Sequence, residues 1–104
     1  MIKDIKMPEF LLRRVNKTTS ELYEMLPHLR PGDVEMWAGS LAYLIKDSQM
    51  CPELLDESQR VESLSAAVRR LELDTDLLKE TVDMSREFGM TEEDLAAAIQ
   101  ANFD

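Results

Sequence analysis

The sequence is poor in the residues that build staples and reactive centres. It holds one cysteine and one histidine in 104 residues. A lone cysteine closes no internal disulfide, which excludes a cystine-stapled secreted scaffold. One His and one Cys also leave too few ligands for a protein-built zinc site. Aromatic residues make up 6% of the chain, with a single tryptophan. Gly32, Gly39 and Gly89 are isolated from one another, so no glycine-rich phosphate loop is present. No run approaches the roughly 18 apolar residues of a membrane span. The N-terminal stretch MIKDIKMPEFLLRR carries charges where a signal peptide needs an apolar run, and the C-terminal IQANFD is no lipidation or retention signal. These absences predict a cytoplasmic protein that does not enter the membrane.

What is present is enough for one folded unit. The length suits a single helical domain over residues 1–104, with 1–7 as a flexible arm. Such a chain buries roughly two-thirds of its unfolded surface without a staple. The apolar residues, 44% of the chain, recur periodically, which excludes a disordered chain.

The periodicity is helical. Leu11, Leu12, Val15, Leu22 and Leu26 define one face of a first helix over about 8–26. Pro27, Pro31 and Gly32 punctuate a loop, and Asp33 is placed to cap a second helix over about 34–50. Val34, Trp37, Ala38, Leu41 and Ile45 share one face of that helix, while Met36, Tyr43, Leu44 and Met50 occupy other sides. A helix so broadly apolar sits centrally or meets a partner. Gly39 in its middle predicts the close approach of another helix against Ala38, Gly39 and Ser40. Pro52 opens a third helix. Counted as heptads from Leu54 to Val82, seven of nine a and d positions are apolar, which offers a seam for a homodimer. The run Leu73-Asp74-Thr75-Asp76 reads instead as a break, giving helices over 52–72 and 76–88. Gly89 stops the fourth, and Thr91 with Asp94 three residues on starts a fifth over 92–102. No segment alternates with period two. The expectation is an all-α, compact bundle of four to five helices, with a long third helix as a dimer seam if the break does not occur.

The charge is uneven. Residues 1–52 hold seven acids and seven bases, whereas residues 53–104 hold fourteen acids and five bases, so the whole net charge of −9 lies in the second half. Within residues 1–17 five bases face two acids. A negative surface of this kind keeps a protein soluble and steers basic partners.

Residues 81–98, TVDMSREFGMTEEDLAAA, resemble a helix-turn-helix DNA-binding motif. Ser85 stands four residues before the turn glycine Gly89, Met90 is the apolar turn residue, and Leu95 is the buried position of the second helix. The resemblance implies a DNA-binding regulator using residues 81–102, with the basic N-terminal arm on phosphates. It departs from the pattern at Ala98, and Glu92, Glu93 and Asp94 stand where the major groove calls for bases.

No catalytic constellation emerges. His28 and Cys51 lack evident partners, the carboxylate pairs sit where helix starts favour acids, and no EF-hand or Glu-x-x-His spacing occurs. Arg13, Arg14 and Arg30 supply anion contacts in a reading as a small-ligand or nucleotide-binding bundle. Aromatic and Met side chains are favoured at interface centres. The preferred expectation is therefore a non-enzymatic regulatory or adaptor protein without cofactor or metal, which binds another protein of basic surface. Its interface residues are Met36, Trp37, Tyr43, Glu92, Glu93 and Asp94; if the second helix is instead the buried central one, Trp37 is core. Its most specific form is an acidic inhibitor of a nucleic-acid-processing or defence complex, of the viral counter-defence type.

Overall fold

A computed structural model describes residues 7–49 and 56–104. The candidate thiol Cys51, the helix start at Pro52, the first heptad position Leu54, Met50 and residues 1–6 of the arm lie outside the described residues. Met7, the last residue assigned to the arm, packs against the core.

Four α-helices form, with no strand among the described residues: α1 (Glu9–Met25), α2 (Pro31–Ser48), α3 (Glu57–Thr81) and α4 (Glu92–Gln100). A short 3-10 turn, Leu26–His28, links α1 to α2. None of these helices is long and apolar enough to cross a membrane. The side chains Leu11, Val15 and Leu22 of α1 turn inward, as their spacing predicts; Met25 joins them, while Leu12, expected on the same face, is only half-buried. Along α2 nine residues are buried, on a wide arc from Val34 to Ser48. That arc makes it the shared helix: α3 packs on one flank, α4 on the other, and α1 packs on α3.

Three sequence expectations are corrected. First, α3 runs unbroken through residues 73–76. The polar run there is satisfied by α2 rather than by a cap. Asp74 accepts from the Ser40 hydroxyl, and Thr75 accepts from the Trp37 indole. Second, the expected helix over 76–88 ends at Thr81. Beyond it the Asp83 carboxylate takes the Ser85 backbone N–H at 3.0 Å, a local turn that competes with helix continuation. Gly89, at φ 73°, makes a left-handed bend in an irregular crossover, where only glycine is unstrained. Third, the heptad positions read as a possible dimer seam turn inward. Leu64, Val68, Leu71, Thr75 and Leu78 are all buried inside the chain's own core.

Two smaller readings also change. Asp33 is not the N-cap of α2, because Pro31 already occupies its first turn; it accepts instead from the Arg30 backbone N–H at 3.2 Å. A Cβ placed on Gly39 meets nothing within 4 Å, so no neighbouring helix requires that glycine.

Ion pairs orient the outer helices. Arg14 grips Glu72 through two bonds, Nε at 3.1 Å and Nη2 at 2.5 Å, and Lys79 meets Glu21 at 2.9 Å. Because 14 pairs with 72 and 21 with 79, α1 and α3 run parallel. Asp47 with Ser63 and Ser40 with Asp74 make α2 and α3 antiparallel. The crossover 82–91 passes beneath the α1–α2 turn. There Phe88 donates its N–H to the Pro27 carbonyl at 2.8 Å, and His28 Nδ1 donates to the Arg86 carbonyl at 2.6 Å.

Candidate binding groove

The crossover delivers α4 to the free flank of α2 and fixes where the molecule stays open. Around the bundle three sides are packed seams: α1 with α3, α3 with α2, and α2 with α4. Between α4 and α1 lies a groove of about 460 Å³.

Its first wall is a single face of α1: Leu12, Asn16, Thr19 and Tyr23, at helical spacing. Trp37 and Leu41 of α2 form the floor, and Glu92, Leu95, Ala96 and Ile99 of α4 form the second wall. The floor is sealed, with Trp37 0% and Leu41 1% exposed. The Tyr23 ring, 44% exposed, and the half-buried Leu12 remain open to solvent. Thr19 spends its hydroxyl on the Val15 carbonyl at 2.8 Å, so Asn16, Tyr23 and Glu92 supply the polar groups of the rim.

The second wall has a defined start. Thr91 Oγ1 accepts from the Asp94 N–H at 3.2 Å, and Asp94 Oδ2 accepts from the Thr91 N–H at 2.9 Å. This reciprocal box anchors the first turn of α4. The helix carries Glu92, Glu93 and Asp94 and no Lys or Arg.

The six expected interface residues fall in separate places. Trp37 is core: its Nε1 donates to Thr75 Oγ1 at 2.8 Å, and only its position under the groove relates it to a surface. Met36 and Tyr43 are exposed, but on the α3 side of α2, where Arg70 covers the Tyr43 ring at 5.7 Å. Asp94 is engaged in the cap. Glu92 lies on the groove rim, and Glu93 is exposed beside it. The α1 wall was missed, although Leu12 and Tyr23 extend the apolar arc of that helix beyond its core face.

The other candidates make contacts within the chain. His28 ties the crossover to the α1–α2 turn. Arg13 pairs with Glu9 at 3.0 Å, Arg14 is held by Glu72, and Arg30 lies 5.6 Å over the Phe88 ring. None of these arginines lines the groove, which leaves it without the anion contacts of a nucleotide site. The Arg14 bonds hold the Glu72 carboxyl below its usual range against the opposing effect of burial. Bonds from Ser85 likewise lower Asp83. The helix-turn-helix resemblance loses its first helix, since residues 82–91 are irregular. No family model, curated protein or solved structure matches this chain.

Proposed function

We propose that this is a non-enzymatic regulatory or adaptor protein that acts by binding another protein of basic surface. The observation that carries this reading is the unclosed α1–α4 side, an apolar groove with one wall free of bases. Apolar side chains buried at an interface centre provide affinity, and surrounding charge selects and steers the partner. Residues 53–104 hold fourteen acids and five bases, so the excess of acid is not confined to α4. An inhibitor that occupies the basic nucleic-acid groove of a processing or defence complex is the specific form this chemistry suits.

The test is affinity capture from an extract of the source organism, followed by reconstitution with the purified partner. A basic partner whose affinity falls with salt, and falls further in a Glu92→Lys/Glu93→Lys variant, supports the reading. An affinity indifferent to both salt and charge reversal overturns it. Duplex DNA at low salt is the control; steeply salt-dependent binding there would favour a nucleic-acid ligand instead.

A further inference from the structure

On the protein-binding reading above, we propose that the α1–α4 groove receives the apolar stripe of a basic amphipathic helix from the partner. Both interhelix ion pairs of α1, Arg14–Glu72 and Glu21–Lys79, run to α3. They fix α1 against the side away from α4, and the side between α1 and α4 remains a groove rather than a packed seam.

The shape of the groove selects the form of the occupant. From Leu12 to Tyr23 its α1 wall extends about 16 Å, three helical turns at 1.5 Å per residue. A partner helix presenting apolar residues at i, i+4 and i+7 spans about 10 Å and fits within that length. The floor residues Trp37 and Leu41 are already buried by the chain's own packing. The partner therefore lies along the mouth and inserts side chains, which cover Leu12, Tyr23 and Ala96. A small polar ligand would find few converging groups, since the Thr19 hydroxyl is committed to the Val15 carbonyl.

Charge selects the sign of its flanks. The α4 wall presents Glu92 at the rim and Glu93 beside it, with no cation on that helix. Lys or Arg bordering the partner's stripe complements this wall. A second copy of this chain brings a net charge of −9 to an equally acidic surface, and repulsion disfavours it as the occupant.

The experiment titrates the full chain with three synthetic helical peptides. The first carries a leucine stripe flanked by lysines, the second has the same composition shuffled, and the third replaces lysine with glutamate. Emission of the sole tryptophan, Trp37, and amide NMR shifts report occupancy. The striped basic peptide is expected to bind and to shift residues of both walls. Ala96→Arg places a bulky cation in the groove from an exposed position and is expected to weaken binding at least about tenfold, the loss of an interface anchor. Ala66→Arg, on the outer face of α3, leaves binding unchanged, and circular dichroism verifies that both variants fold. Equal binding of the shuffled peptide, or of the striped peptide to the Ala96→Arg variant, overturns the proposal. A reconstituted partner that binds the Ala96→Arg variant as tightly as the parent overturns the groove assignment alone and leaves the protein-binding reading standing.

Discussion

Trp37 and Thr75 meet in the centre of the core, both 0% exposed, with the indole N–H donating to the hydroxyl at 2.8 Å. The same hydroxyl donates to the Leu71 carbonyl at 2.8 Å, so neither residue leaves a buried polar atom unmet. Thr75→Val keeps the volume but strands the indole donor, and is expected to cost about 1–3 kcal/mol. Trp37→Phe removes the donor instead and adds a packing loss. The double variant should be less destabilised than the two single costs added, because the stranded donor is gone. Urea denaturation followed by circular dichroism measures all three. Full additivity would show that the bond is not the link between α2 and α3.

The Arg14–Glu72 pair makes a separate prediction about acid. Folded Glu72 titrates below its usual value of 4.5 because Arg14 bonds the ionised form. The unfolded chain therefore binds this proton more readily than the folded one. The stabilisation is complete above the usual value and is lost as pH falls through the lowered folded value. Arg14 is 38% exposed, so solvent screening limits the contribution to about 0.5–1 kcal/mol. Glu72→Gln should cost that much at neutral pH, and the difference from the parent should vanish at strongly acidic pH. A difference that stays constant with pH would sink this account.

The glycines predict changes of opposite sign. Gly39 lies in the interior of α2, and a Cβ there meets nothing within 4 Å. Gly39→Ala is expected to stabilise the protein by about 0.5–1 kcal/mol, through helix propensity and a less flexible unfolded chain. Gly89 has equal space but a φ of 73°. Gly89→Ala forces a side chain into the left-handed region and should destabilise by about 1 kcal/mol. Thermal melts of the two variants provide the check; a loss of stability in Gly39→Ala would point to a contact that the empty space does not reveal.

Much of the fold was legible because local rules and packing agree. The faces of α1 and α2 follow apolar spacing, and the Thr91–Asp94 box stands in the sequence as it does in the structure. The heptad of α3 was also legible, though not its use. A stripe that buries against α1 and α2 reads the same as one that buries against a second copy. The Asp74-Thr75-Asp76 run misled because its satisfaction is remote: the hydroxyl of Ser40 and the indole of Trp37 lie 34 and 38 residues away. The groove was the least legible feature. It depends on where the crossover 82–91 sets α4 against α1, and hydrogen bonds to Pro27 and from His28 fix that path.

The acids of α4 should separate by role. Asp94 accepts the Thr91 N–H, while Glu92 and Glu93 make no such bond and face solvent. Asp94→Ala is therefore expected to cost about 1 kcal/mol of stability through the lost cap interaction. Its effect on partner affinity should be small once the protein is folded. Glu92→Lys and Glu93→Lys should each cost only about 0.5 kcal/mol, from the unfavourable charge at a helix start. Their larger effect falls on binding, where reversal opposes a basic partner and flattens the salt dependence. Stability by urea denaturation and affinity by titration with the purified partner should thus rank the three variants in opposite orders. If Asp94→Ala reduces affinity most under fully folded conditions, the cap itself contacts the partner and the division of roles fails.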